Sequence, residues 1–230
     1  MKTLLFLTLS VTVILSACSS PFDEAQKNLQ EKMHAEDCTI SESEEIKSGD
    51  TTRMISIELQ NVDELFFGHP QWMLQSFAAQ EFYYDQISQV GTYDVVSVVM
   101  IDAIGNRQQA DFPLRDLVAA DTFYTRAERI INDQNGLSSI AKHSYLFDTI
   151  MPASAFPQID STIASSTAQN GPQKSIAFGG YRRVSLEYMN TPVFQVVVQQ
   201  RRTSKTDVYL FNFSAKSGLI MSMQLNGAMQ

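Results

Sequence analysis

Cysteine is scarce in this chain: two residues in 230, too few for a disulfide framework and without the paired spacing of a thiolate metal site. Histidine is nearly as scarce, and His34, His69 and His143 lie far apart in the sequence. No His-Glu-x-x-His or similar ligand cluster occurs, so no metal and no cofactor is expected. The glycines form no phosphate-cradling loop, and there is no Gly-x-Ser-x-Gly elbow. Positive charge is short as well, with 17 Lys and Arg against 25 Asp and Glu and a formal net charge of −8. That field repels a phosphate backbone, which excludes nucleic acid as a partner, and it mildly repels anionic lipid headgroups. No apolar run reaches the roughly 20 residues that a helix needs to cross a bilayer. What remains, 44% hydrophobic and 18% charged residues, is the composition of a folded protein with an ordinary core.

The most apolar stretch stands at the start. Met1-Lys2 is a short positive beginning, Leu4 to Leu15 is an apolar run of about a dozen residues, and Leu15-Ser16-Ala17-Cys18 follows directly, the order of a secretory leader. The Leu-Ser-Ala-Cys ending resembles the lipobox of bacterial lipoproteins. The resemblance implies removal of residues 1–17, lipidation of Cys18 and a short tether over 18–21. Loss of Lys2 makes the mature chain one unit more negative. The alternative is ordinary cleavage after Ala17, which leaves Cys18 a plain thiol, but Leu15 is bulky for a small-x-small cleavage site. Ser19 and Ser20, with no Asp after the Cys, resemble the lipoproteins sorted to the outer membrane, facing the periplasm. Cys38 is then without an intramolecular partner, and burial is its expected state. His34 invites a Cys-His pair with it, but no orienting third group is near.

After the tether, Phe22, Ala25, Leu29 and Met33 recur at helical spacing, predicting a helix that Ser20 caps and that ends near Asp37. Residues 38–46 and 52–59 flank a Ser48-Gly49-Asp50 turn signal, and Ile55, Ile57 and Leu59 alternate with Ser56 and Glu58. This predicts an antiparallel hairpin with one wet face. A helix over about 70–90, stopped by Gly91, has Met73, Phe77, Tyr84 and Ile87 as its core stripe, while Trp72, Phe82 and Tyr83 fall off that stripe and need a second cover. Residues 93–101 scarcely alternate and read as a strand covered on both faces, turned at Gly105-Asn106 into a shorter strand ending at Phe112-Pro113. Residues 22–113 are expected to form a small α-β-β-α-β-β domain.

The second half, 114–230, opens with a helix whose stripe is Leu117, Ala120, Tyr124, Ala127 and Ile131, with Phe123 and Ile130 beside it, capped at Asn135-Gly136. A helix over about 138–150 and a short one within 153–171 follow. Four strands, 175–188, 193–202, 206–213 and 219–226, are joined by short connections and predict an antiparallel meander. Tight turns put Val196 opposite Phe213, Val198 opposite Phe211 and Arg202 opposite Asp207. One face then gathers Phe178, Val184, Leu186, Val193, Val197, Val208, Leu210, Met221, Met223 and Leu225, the natural seat for the helices. The other gathers Tyr181, Phe194, Val196, Val198, Tyr209, Phe211, Phe213 and Ile220, too apolar to be left in water, so the first domain or a second copy must cover it. Gly179-Gly180 marks a bulge or bend. The fold class is α+β.

Helices followed by four long strands, with the Gly-Tyr-Arg-Arg start of the first strand and the Ser-Gly-Leu-Ile turn, resemble the nuclear transport factor 2-like, or cystatin-like, fold over about residues 114–227. The resemblance implies a cone of helices packed on a curved four-stranded sheet. Members of that fold include enzymes, pocket binders and dimerisation modules, so it does not name a function. An acid–base site in the cone would draw on Asp121, His143, Tyr124, Tyr145 and Tyr181, and Tyr124, Tyr145 and Tyr181 would line a ligand pocket there. On the apolar stripe, Tyr124 also reads simply as a core ring. Arg182-Arg183 and Arg201-Arg202 approach each other in the expected hairpin as an anion site or as a solvated, paired edge. With no catalytic set, the leading expectation is a non-catalytic lipoprotein of the cell envelope. It would hold a homodimer or a partner through Phe194, Val196, Val198, Phe211 and Phe213. A small-ligand binder and an isomerase or hydrolase are the alternatives.

Overall fold

Alternation over the acidic segment that follows the first helix builds the first sheet. The computed structural model describes residues 21–47, 50–62, 70–86, 92–135, 140–185 and 192–225. The leader, Cys18, the Ser20 cap, His69 and the Ser48-Gly49, Gly91 and Gly136 turn signals lie outside the described residues. Helix α1 (Asp23–Met33) ends earlier than its pattern suggested, because His34 takes the left-handed conformation at φ 49° and its N–H returns to the helix carbonyls. Strands β1 (Asp37–Lys47) and β2 (Asp50–Gln60) pair antiparallel, with Cys38 opposite Leu59 and Ile40 opposite Ile57 on the buried face. Helix α2 (Gln71–Asp85) then carries the chain to β3 (Val95–Ile101), which lies parallel to β2, and β4 (Arg107–Pro113) returns antiparallel. The Asp102 carboxylate makes that last turn by accepting the N–H groups of Ile104 and Asn106. As the near-absence of alternation suggested, residues 96–99 of β3, Ser97 included, are all buried.

Helix α2 is the element around which both halves pack. Its apolar residues follow no single stripe, and Met73, Leu74, Ala78, Ala79, Phe82 and Tyr83 are buried, while Phe77 and Tyr84 of the expected stripe are only half-buried. A helix buried nearly all round needs neighbours on several sides, and α2 has α1, β3 and β5.

The second half begins with α3 (Leu114–Asn135), in which Leu117, Ala120, Ala127 and Ile131 of the expected stripe and the flanking Phe123 and Ile130 are buried, while Tyr124 of that stripe is half-buried. The helix expected over 138–150 is instead a 3₁₀ turn, Ile140–Leu146. Only Ile140 and His143 of this segment's start are buried, three residues apart, the spacing that a 3₁₀ helix brings onto one side. Helix α4 (Phe156–Asn170) is longer than the short helix expected there. Four strands close the chain as an antiparallel meander in sequence order: β5 (Gln173–Ser185), β6 (Pro192–Arg202), β7 (Thr206–Ser214) and β8 (Ile220–Leu225). The protein is thus mixed α+β, with one mixed and one antiparallel four-stranded sheet.

The register of the second sheet differs from expectation by two residues. Val196 faces Phe211, Phe194 faces Phe213, and Gln200 rather than Arg202 faces Asp207, because the β6–β7 hairpin is closed tightly at Arg202 and Lys205. A shift of two leaves every side chain on its own face, so the aromatic face survives. Two irregularities do move residues across. The bulge between Phe178 and Gly180 brings Phe178 to the aromatic face, and the one between Asn212 and Phe213 brings Met223 and Leu225 opposite Phe211 and Tyr209. The helices sit on this aromatic face and not on the other: the Phe123 ring of α3 stacks on Phe213 at 4.6 Å and meets Phe194 edge-on at 5.4 Å. One apolar cluster runs from Phe22 of α1 to Ile220 of β8.

Cys38 lies in that cluster with no exposed surface, and burial, then the neighbouring Asp37 carboxylate, push its thiol up to about 12. His34 sits exposed at the end of α1. Thiolate chemistry therefore needs the protein to open. In a Cys18→Ala chain, Cys38 is the single thiol, and a thiol reagent at pH 8 is expected to leave it untouched in the native state and to label it stoichiometrically in denaturant. Rapid native labelling would contradict its burial.

Candidate functional site

The residues expected to act together fall into two groups. Tyr181 is buried at 2% exposure among Phe112, Phe178 and Phe194, its hydroxyl without a hydrogen-bond partner among the described residues, and burial followed by the Asp116 charge raises its pKa. Tyr124 lies half-buried and edge-on to Phe178 at 5.6 Å. Burial first, then Glu128 and Glu81, push its phenol up to about 12. Tyr145 is 59% exposed and its ring neighbour is His143. His143 is buried, with Nε2 3.0 Å from Asp133 Oδ2. Asp121 accepts the Tyr84 hydroxyl at 2.8 Å on the outer side of α2 and α3. An acid–base pair needs a substrate within reach of both members: Tyr124 and Tyr181 share the Phe178 ring and Tyr124 shares Tyr84 with Asp121, whereas His143 and Tyr145 stand together on the 3₁₀ turn.

The expected interface set is corrected by burial. Phe194 keeps 4% of its surface, and Val196, Val198, Phe211 and Phe213 keep none, because α3 of the same chain covers them. The apolarity of both sheet faces was legible, but not which face the helices would choose. The paired arginines also separate. Arg182 faces Gln195 and Arg201 faces Ser175, six pairs along the same ladder and roughly 20 Å apart at about 3.3 Å per residue.

Two polar arrangements remain, and both join residues distant in sequence. At one end of the second sheet, the Arg202 guanidinium lies 2.6 Å from Asp207 Oδ2, both side chains fully buried, and the Ser166 hydroxyl of α4 donates to the same oxygen. Arg202 also reaches the Gly171 carbonyl, and the Tyr209 hydroxyl donates to Gln200 beside it. Burial pushes Tyr209 up to about 12, against the pull of Arg202. At the other end of β5, the Arg182 guanidinium lies over the Trp72 indole, 4.6 Å from its centroid, and donates through Nε to Gln195 Oε1 at 2.6 Å. The neighbouring Arg183 turns the other way, toward Asp116 at 3.6 Å and the Phe194 ring. The first arrangement is sealed from water, although Arg202 Nη2 and Asp207 Oδ1 have no hydrogen-bond partner among the described residues. The second presents free donors.

No family model, curated protein or solved structure matches the chain. Among the described residues no three His, Cys, Asp or Glu side chains gather as metal ligands, and no helix is long and apolar enough to cross a membrane. Trp72 lay off the stripe of its helix and Arg182 in a pair of arginines, 110 positions away. Only the bulged course of β5 past α2 joins them, and that course has no local sequence signal beyond Gly179-Gly180.

Proposed function

We propose that this is a lipid-anchored protein of the cell envelope, held at the outer membrane through acyl chains on Cys18, which binds a protein partner and carries out no chemistry of its own. The observation that carries the reading is the filled interior of the second half. Rings of Phe112, Phe123, Tyr181, Phe194, Phe211 and Phe213 interlock where a cone-shaped fold of the nuclear transport factor 2-like type would hold a substrate or ligand. Rings packed in that space favour partner binding over the ligand-binding and isomerase readings. They also turn the surface toward a partner rather than toward a second copy bound through the aromatic face.

The tether supports the same reading. Helix α1 starts at Asp23, five residues after Cys18, so a lipid there keeps the folded body within about 17 Å of the bilayer. More than one acyl chain makes such anchoring stable. In cells fed labelled palmitate, the wild-type chain is expected in the membrane fraction carrying label, and Cys18→Ala in the soluble fraction without it. A Cys18→Ala chain that stays with the membrane, or a wild type without label, would overturn the anchor.

A further inference from the structure

Arg182 differs from most arginines of the chain in lying against an aromatic ring with no carboxylate beside it. Arg53, Arg107, Arg115, Arg183 and Arg202 each have a carboxylate within 4 Å. Arg182 has none among the described residues. Its one hydrogen bond there uses Nε and a neutral acceptor, Gln195, so both Nη groups keep their donors. The indole beneath it is half-buried, and Trp72 Nε1 has no acceptor among the described residues. The first turn of α2, where Trp72 sits, carries no capping side chain and no acidic residue, and the helix dipole adds partial positive charge at that end. What the two Nη groups lack is an acceptor, and an anion supplies it.

The geometry selects the anion. A guanidinium stacked on an indole is held in one plane, and its Nη edge matches the two oxygens of a carboxylate in a bidentate pair. Phosphate concentrates a second negative charge on the same small group and asks for a second cation beside the first. The nearest arginine along β5 is engaged with Asp116. We propose that Arg182, stacked on Trp72 and braced by Gln195, is a carboxylate-binding site, and that the carboxylate belongs to an acidic segment of the protein partner. The site stands on the geometry alone, whereas the source of the carboxylate rests on the partner-binding reading above.

Trp72 is the single tryptophan, so the fluorescence of the full-length chain in non-ionic detergent reports this place and no other. Sodium acetate and a blocked tetra-glutamate peptide are titrated separately against sodium chloride at equal ionic strength. Both carboxylates are expected to give a saturable change that chloride does not, with the peptide at least tenfold tighter. Arg182→Gln and Arg182→Lys are expected to weaken it at least tenfold, the second because it keeps the charge and loses the fork. Gln195→Glu, which supplies an internal carboxylate beside Arg182, is expected to abolish it and keeps the test available if the Arg182 variants fold poorly. A saturable change with acetate that the peptide does not improve supports the site and overturns the polypeptide source in favour of a small carboxylic acid. No saturable change with either, or an undiminished one in Arg182→Gln and Gln195→Glu, overturns the site. Neither failure touches the membrane anchor, which is read by fractionation.

Discussion

Replacing Asp207 by Ala lowers the stability of the protein by about 3–5 kcal/mol, because it strands the Arg202 guanidinium in the core as an uncompensated charge. Both side chains are fully buried, so neither water nor salt can take the place of the partner. With a urea slope of about 2 kcal/mol/M, the unfolding midpoint falls by roughly 2 M. The double replacement of Arg202 by Met and Asp207 by Leu is expected to recover most of that loss, since the desolvation cost of two charges largely cancels their attraction. Equilibrium urea unfolding followed by circular dichroism separates the outcomes. A single variant that costs less than about 1 kcal/mol, or a double variant as weak as the single, would mean that the pair is hydrated or differently placed.

That the pair exists at all bears on how α4 is held. Few residues of α4 are buried apart from Phe156, Ile163 and Ser166, so its apolar contact is modest. Its orientation comes from Ser166 donating to Asp207, with the Asn170 side chain donating to Ser166. A charge pair whose Asp207 Oδ2 accepts from both Arg202 and Ser166 fixes one register of helix against sheet, where apolar contact alone tolerates sliding. The sequence placed Arg202 beside Asp207 for the wrong reason, as directly opposed residues. They meet instead as diagonal neighbours on one face, Asp207 facing Gln200.

Much of the fold could be read from residue spacing, and the failures have physical causes. The stripes of α1 and α3, the hairpin β1–β2 and the meander β5–β8 follow from period 3.6 and period 2 patterns with one buried side. Helix α2 broke its stripe because it is wrapped on several sides, a tertiary fact that no single helical period encodes. The choice of face in the second sheet was lost at the two bulges, each of which inverts the alternation beyond it, so Phe178, Met223 and Leu225 were assigned to the wrong side. The site at Arg182 was illegible for the same reason. Its parts meet only because β5 bends against α2, and the arginine looked like one of four edge charges until the register separated them.

The bend itself supplies the second large effect. Gly180→Ala is expected to destabilise the protein by about 4 kcal/mol, combining the strain of a left-handed backbone with overpacking. Gly180 has φ +129°, and a Cβ there would stand 2.8 Å from the Met73 carbonyl oxygen and 2.8 Å from Ser76 Oγ. These atoms cannot retreat cheaply. Met73 O is helix backbone and accepts the Ser76 hydroxyl, and Ser76 Oγ in turn accepts the N–H of Tyr181 at 2.8 Å. The helix thereby caps the bulged edge of β5, which would otherwise leave that donor buried without a partner. Gly105→Ala is the control, because its φ is +84° with nothing within 4 Å of the added carbon, so it bears backbone strain alone and costs about 1 kcal/mol. Thermal or urea unfolding of the two variants distinguishes the accounts. Equal losses would mean that only the dihedral matters at Gly180, whereas a loss several times larger there locates the close approach of α2 and β5. Because the same approach seats Trp72 beneath Arg182, a Gly180→Ala protein that still folds is expected to show altered tryptophan fluorescence before any carboxylate is added.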